Sequence, residues 1–372
     1  MTVIIFIIVL AVLIFVHELG HFILARLNGI RVDAFKIGFG PRIISWKRGE
    51  TEYGVNLIPF GGFVQIHGEN PDEDSIHGAD RERSFINKNR WRQVSVLVAG
   101  VFFNFLFAWL LYGIVFMSGV TATKDGFEKY SDLFRDPRVL IGYVDAESPA
   151  SRAGLKPGDV LVEIKVAQSN TDLSVTNDTL QAEKIPAAVN SSQGQPVSVS
   201  FVRNGLASTT MINPQEGIVP GKFAMGIVPL DAVTFRLPFF TAILESFNYT
   251  TGMIKETTVG LAMFIANIFH GTANFSDVAG PIGIAGIVGD AAVMGFGYLL
   301  MITALISINL GVINLIPFPA LDGGRTLFVA IEGLIRRRIP LKFFNITNTV
   351  GFILLMILMV AVTYKDIVRL LK

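Results

Sequence analysis

Three side chains able to do metal chemistry stand together near the start of the chain, in the run His17-Glu18-Leu19-Gly20-His21, an H-E-x-x-H pattern. Residues four apart on a helix share a face, so both imidazoles can reach one zinc ion. The Glu between them is then placed to activate a water at that metal. Such a pattern also arises by chance in soluble helices, but its surroundings here argue otherwise. Every residue from Val3 to Val16 is apolar, and Phe22, Ile23, Leu24 and Ala25 follow His21. An unpaired acid at the centre of a membrane helix costs about 2.5–3.5 kcal/mol on insertion scales.

Two imidazoles do not complete a catalytic zinc site, which needs a further protein ligand and an open position for water. The chain contains no cysteine, so the remaining ligand must be His or a carboxylate. Asp322 is the candidate, in the run Asn314-Leu315-Ile316-Pro317-Phe318-Pro319-Ala320-Leu321-Asp322-Gly323-Gly324-Arg325. Pro317 and Pro319 stop a helix there, and irregular backbone at membrane depth is tolerated only when buried in protein or lining a cavity. Asp322 reads equally well as a turn residue, because Asp-Gly-Gly is a strong turn signal. His67 and His77 read as polar surface, and His270 as an interfacial polar group.

The elements that must position these residues are mostly membrane helices. The 372 residues are 51% hydrophobic and 16% charged, with mean hydropathy +0.53, the profile of a membrane protein with a sizeable aqueous part. A net charge of +1 gives no sign of nucleic-acid binding. Four stretches, near 3–24, 94–117, 292–316 and 346–364, are long and apolar enough to cross a bilayer. The N-terminus lacks the basic start and small-residue cleavage site of a signal peptide. Lys and Arg number 11 in 25–93 and 5 in 317–345, against 12 in the much longer 118–291. The positive-inside rule therefore places both termini outside and the H-E-x-x-H end of the first helix towards the cytosol.

Between the crossings, residues 31–68 alternate apolar and polar residues with Gly/Pro punctuation and read as a small antiparallel sheet. That sheet is either a plain cytosolic hairpin or a platform that dips to the site and offers an edge to an extended peptide. Residues 69–92, ending in Asn89-Arg90-Trp91-Arg92, read as a linker with an interfacial anchor. Residues 136–214 read as a separate soluble domain, with strands at 160–166 and 197–203, a helix near 178–190, a polar loop at 167–177 and a hairpin signal at Asn204-Gly205. Its Ser148-Pro149-Ala150, Ala153-Gly154-Leu155 and Gly158-Asp159 run resembles a circularly permuted bacterial PDZ domain, which implies binding of extended peptide ends by strand addition. Residues 236–291 read as an amphipathic or re-entrant connector, in which Val259 to Phe269 is too short to span. Gly280-Pro281-Ile282-Gly283-Ile284 reads as a turn-rich join to the third crossing.

Taken in order, these motifs resemble the site-2 protease family of intramembrane zinc metalloproteases, in particular the bacterial group of the regulator-of-sigma-E protease. H-E-x-x-H, the Gly38-Phe39-Gly40-Pro41 and Phe60-Gly61-Gly62-Phe63-Val64 sheet segments, the PDZ-like run, Gly280-Pro281-Ile282-Gly283-Ile284 and the 314–325 run follow the family's order along nearly the whole chain. The resemblance implies that His17, His21 and Asp322 bind Zn2+ and that Glu18 is the catalytic acid/base. It also implies that Asn104, Asn314, Pro317 and Pro319 handle substrate. Two departures stand out. Ala99-Gly100-Val101-Phe102-Phe103-Asn104 carries Val101 where the family has Pro, and there is room for one PDZ domain rather than two.

The expected architecture is a polytopic α-helical membrane protein with four transmembrane helices, a small membrane-associated β-sheet and one inserted extracytoplasmic PDZ (α+β) domain. Its membrane metalloprotease parts fall at 1–118 and 292–372. The resemblance implies a bacterial inner-membrane enzyme cutting single-pass transmembrane proteins, such as anti-sigma factors or remnant signal peptides. A membrane-embedded PDZ adaptor with a structural or inactive metal site is the rival; it needs no Glu18 between the ligands. A zinc transporter would want polar groups along the outer halves of the crossings, and these lack them.

Overall fold

The computed structural model describes residues 2–70, 73–123, 128–145, 147–166, 181–203, 205–272 and 278–371. The expected polar loop 167–177 and Asn204 of the hairpin signal lie outside them. The chain forms two compact units, one of residues 1–115 and 240–372, the other of residues 116–239.

The first unit begins with α1 (Thr2–Leu27), whose first 15 or so residues are apolar all round. A positive-φ glycine, Gly29, turns the chain into β1 (Val32–Arg48) and β2 (Thr51–Ile66). Both strands bend and pair twice. Residues 34–37 face 62–65 on one side and 52–55 on the other, while 44–48 return against 51–55. The 31–68 stretch is thus a four-stranded sheet made from two bent strands, with 62–66 at one edge. Short helical turns, including α2 (Glu73–His77), lead to α3 (Arg90–Ser118). Asn89 Oδ1 accepts from the Trp91 N–H at its start, and Trp91 itself is exposed. The helix runs unbroken through Val101, which keeps its N–H where the family's Pro would have none.

The second unit carries a six-stranded antiparallel sheet in the order β3-β10-β4-β5-β6-β7. Its elements are β3 (Val120–Thr123), β4 (Arg135–Val144), α4 (Pro149–Arg152), β5 (Val160–Val166), α5 (Ile185–Ser191), β6 (Val197–Arg203), β7 (Leu206–Ile212), the pair β8 (Gln215–Val219) and β9 (Lys222–Ala224), and β10 (Ile227–Phe235). Alternate residues Val139, Ile141, Leu161, Ile164, Val197 and Val199 turn inward and meet Ala150, Ile185 and Val189. Asp159 is buried and takes two hydrogen bonds from Arg203 and one from the Lys156 N–H, the pairing that makes a buried carboxylate tolerable. The sheet extends past 136–214 at both ends.

The chain then returns to the first unit through α6 (Phe239–Phe269), α7 (Pro281–Met294), α8 (Phe296–Leu315), α9 (Asp322–Ile335) and α10 (Leu341–Leu371). Among the described residues four helices, α1, α3, α8 and α10, are long and apolar enough to cross a membrane. Three expectations need correcting. The apolar run 259–269 is the tail of a 31-residue helix; the polar residues before it interrupt hydropathy but not helix. Residues 281–284 are not a turn-rich join but the first turn of α7, with Pro281 in the N-terminal position that lacks no needed N–H. The third crossing starts at Phe296 rather than 292, because Gly295 at φ 121° breaks it from α7.

Two ties order the bundle. The buried Asp366 carboxylate of α10 accepts from the Gly280 and Gly283 N–H groups, capping α7 from across the chain. Gly289 of α7 packs so closely on Thr2 that a Cβ there would lie 2.3 Å from the threonine methyl.

Candidate metal centre

Histidines 17 and 21 are one turn apart on α1, both buried, with ring centroids 4.8 Å apart. What they face is a single stripe of α3. His21 Nδ1 donates to the Val96 carbonyl at 2.8 Å. His17 Nδ1 lies 3.1 Å from the Asn104 side-chain amide. Gly100 sits between, four residues from each. The helices approach this closely because both contribute glycine: a Cβ on Gly20 would lie 2.5 Å from the Ala99 carbonyl oxygen, and one on Gly100 would lie 2.4 Å from His21 Nε2. Ser307 of α8 donates its hydroxyl to the Asn104 main-chain carbonyl at 2.8 Å, and Gly311 one turn on receives the Phe105 ring.

Asp322 reaches the same point from α9. The chain leaves α8 through Pro317 and Pro319, with Ala320 at φ 74° and its N–H held by Asn348 Oδ1. Gly323 and Gly324 let α9 fold back onto that turn, since a Cβ on either would sit 2.2–2.3 Å from the carbonyl oxygens of Leu315, Ile316 or Phe318. The Asp-Gly-Gly turn signal and the aspartate's convergence on the histidines are therefore one feature. Farther along α9, Arg325 pairs with Glu69, and Glu332 pairs with Arg90 at 2.7 Å.

The donor set fits a metal. His17 Nε2, His21 Nε2 and Asp322 Oδ2 lie 3.1, 3.2 and 3.3 Å from one another. Ligands at zinc–nitrogen and zinc–oxygen distances of about 2.0–2.1 Å in a tetrahedron are separated by about 3.3 Å. Asp322 Oδ2 is buried with both imidazole nitrogens at ion-pair distance, yet no N–H is aimed to make a hydrogen bond with it. Three ligand atoms thus converge on one point, and Asp322 Oδ2 takes no hydrogen bond there. Burial favours a neutral Asp322, but the adjacent imidazoles outweigh it and hold its pKa below the usual carboxylate range.

Glu18 stands beside this triangle, its Oε2 accepting from the Val64 N–H at 3.1 Å on the edge strand 62–66. Gly62 on the same edge is closely packed, since a Cβ there would lie 3.1 Å from the Lys36 carbonyl oxygen and 3.2 Å from the Ile14 side chain. A small cavity joins His17, Glu18, Asn314, Leu321 and Asp322. Asn314 therefore lines the site, Pro317 is exposed, and Pro319 packs on Gly351 of α10. Asn104 does not line that cavity; it is fully buried behind His17. The A-G-x-x-x-N run was visible in the sequence, but its bearing on His17 depends on a contact 87 residues away in the chain.

Residues 5–358 match the sequence description of peptidase family M50. A Clostridium perfringens protein provisionally named a zinc metalloprotease is 35% identical over 358 residues, covering 96% of this chain and 95% of its own. A similarly named protein of Synechocystis is 35% identical over 97% of this chain and 93% of its own length. Zinc metalloprotease RasP of Geobacillus kaustophilus is 28% identical over 97% of this chain and 96% of its own.

Proposed function

The chain belongs to peptidase family M50, and from that premise we infer that it is a membrane-embedded zinc metalloprotease that cuts peptide bonds within transmembrane segments. The observation that carries this reading is the triangle of His17, His21 and Asp322 with Glu18 beside it, set among helices long enough to cross a bilayer. The three residues hold zinc, which when bound supplies Lewis acidity to a scissile carbonyl and lowers the pKa of a water to about 7. Glu18 takes a proton from the attacking water and delivers it to the leaving amide nitrogen. The Val64 N–H holds the carboxylate at the site between these transfers.

A substrate helix hides its peptide bonds in hydrogen bonding, so it must be extended before it is cut. The edge 62–66, which already meets Glu18 through Val64, suits strand addition, and Asn314 would meet the chain in the cavity. Residues 116–239 include a PDZ domain. Support comes from a groove with Ile185, Pro186 and Val189 on one wall and Met225, Gly226 and Ile227 on the other. The first half of β10 is paired on one side only among the described residues. That domain inspects substrates outside the bacterial inner membrane while cleavage occurs towards the cytosol. The start of α1 and the last turns of α10 are both tied to α7, which agrees with both termini lying on the outer side.

The test is metal content beside turnover in detergent-purified protein. Wild type and Glu18→Gln should each retain one zinc, and wild type alone should cleave a labelled transmembrane peptide. His21→Ala should lose both zinc and cleavage. Wild type without bound zinc, or normal turnover by Glu18→Gln, would overturn the reading.

A further inference from the structure

An imidazole that offers Nε2 to a metal carries its proton on Nδ1, so Nδ1 must find an acceptor. For His21 that acceptor is the Val96 carbonyl, which can only accept. For His17 it is the side-chain amide of Asn104, which has a donating end and an accepting end. With Nδ2 towards His17, at 3.1 Å, the amide favours the ring proton on Nε2, the tautomer that cannot offer Nε2 to a metal, and leaves its own Oδ1 buried without a partner. Turned over, the amide presents Oδ1 to the Nδ1–H and frees the Nε2 lone pair at the centre of the donor triangle.

Nothing else about Asn104 accounts for a fully buried amide in the middle of an apolar helix. Its tie to α8 runs through its main-chain carbonyl, which any residue supplies. Its side chain makes its hydrogen bond to His17, and none to another helix among the described residues.

We propose that Asn104 is the positioning residue that sets the tautomer of His17, by accepting the His17 Nδ1 proton at Oδ1 when metal is bound. The proposal rests on the reading that His17 holds zinc. It replaces the sequence-based expectation that Asn104 handles substrate, since the side chain lies on the far side of the histidine from the cavity.

The test compares Asn104→Leu, which has similar volume and no acceptor, with Asn104→Asp, which can only accept. Both are made in full-length Glu18→Gln protein so that binding is read without turnover. Asn104→Leu should bind zinc about 10- to 100-fold more weakly, and Asn104→Asp should bind it like the parent. Equal affinity in all three, or equal losses in both variants, would overturn the proposal. If Asn104→Leu fails to fold, cobalt-loaded parent protein decides by NMR: slowly exchanging, strongly shifted Nδ1–H lines from both histidines are expected, and a freely exchanging His17 line would refute it. A parent that binds no metal would instead sink the zinc reading, and this proposal with it.

Discussion

Gly100→Ala is the smallest perturbation that should disable the site. The added Cβ would lie 2.4 Å from His21 Nε2, 2.6 Å from His17 Cε1 and 2.8 Å from His17 Nε2. Ordinary contact begins at 3.4 Å, so His21 Nε2 must retreat by about 1 Å, whereas a metal site tolerates about 0.2 Å in its ligand distances. The backbone cannot relieve this by opening the helix pair cheaply, because Gly20 already rests against Ala99 and Gly100. The rings cannot swing freely either, since Val96 and Asn104 hold their far nitrogens. In an isolated helix, alanine is better than glycine by about 0.8–1.0 kcal/mol, so any loss comes from the site. Overpacking a tight contact costs about 1–3 kcal/mol, which leaves the protein folded. The expected result is zinc affinity lowered by more than about 100-fold, taking one displaced ligand as worth at least 2.7 kcal/mol by the usual tenfold per 1.4 kcal/mol. Zinc titration by competition with a chromophoric chelator, alongside thermal unfolding in detergent, measures both. Zinc affinity and turnover equal to wild type would refute the packing argument.

Three further predictions test the frame around the site. Val64→Pro removes the one donor that Glu18 accepts from the edge strand; proline is tolerated at an edge, so kcat should fall about 10-fold, the value of a roughly 1.5 kcal/mol bond to a charged group, while zinc content stays unchanged. Asp366→Ala uncaps α7, and unfolding in detergent should show a loss of about 1–2 kcal/mol, with activity per folded molecule preserved. Arg203→Ala strands the buried Asp159 carboxylate, which should cost about 3–5 kcal/mol and make residues 116–239 sensitive to limited proteolysis while residues bearing the metal centre stay protected.

The parts of this molecule legible in its sequence were those fixed by neighbours in the chain. His17, Glu18 and His21 are set by one turn of helix, and the crossings by runs of apolar residues, so both could be read locally. Asp322 was half legible. The turn chemistry of Gly323 and Gly324 was plain, but that it delivers the carboxylate to a histidine pair on another helix depends on backbone closeness that only the fold displays. The contact of Asn104 with His17 is illegible for the same reason, since it joins residues 87 apart on two different helices. The doubled pairing of β1 and β2 escaped a simple hairpin reading because each strand is longer than its local turn signals suggest. In α6 and α7 the helices are masked by Glu245, Lys255 and Glu256 and by the first-turn Pro281, which interrupt hydropathy without ending a helix.

The most direct measurement is the position of the cut. Wild-type protein and Glu18→Gln are reconstituted in liposomes with a single-pass substrate whose ends are separately labelled, and the products are mapped by mass spectrometry. The account predicts that wild type alone releases fragments ending within the apolar stretch, towards its cytosolic end. Identical fragments from Glu18→Gln, or cuts confined to the aqueous flanks, would contradict it.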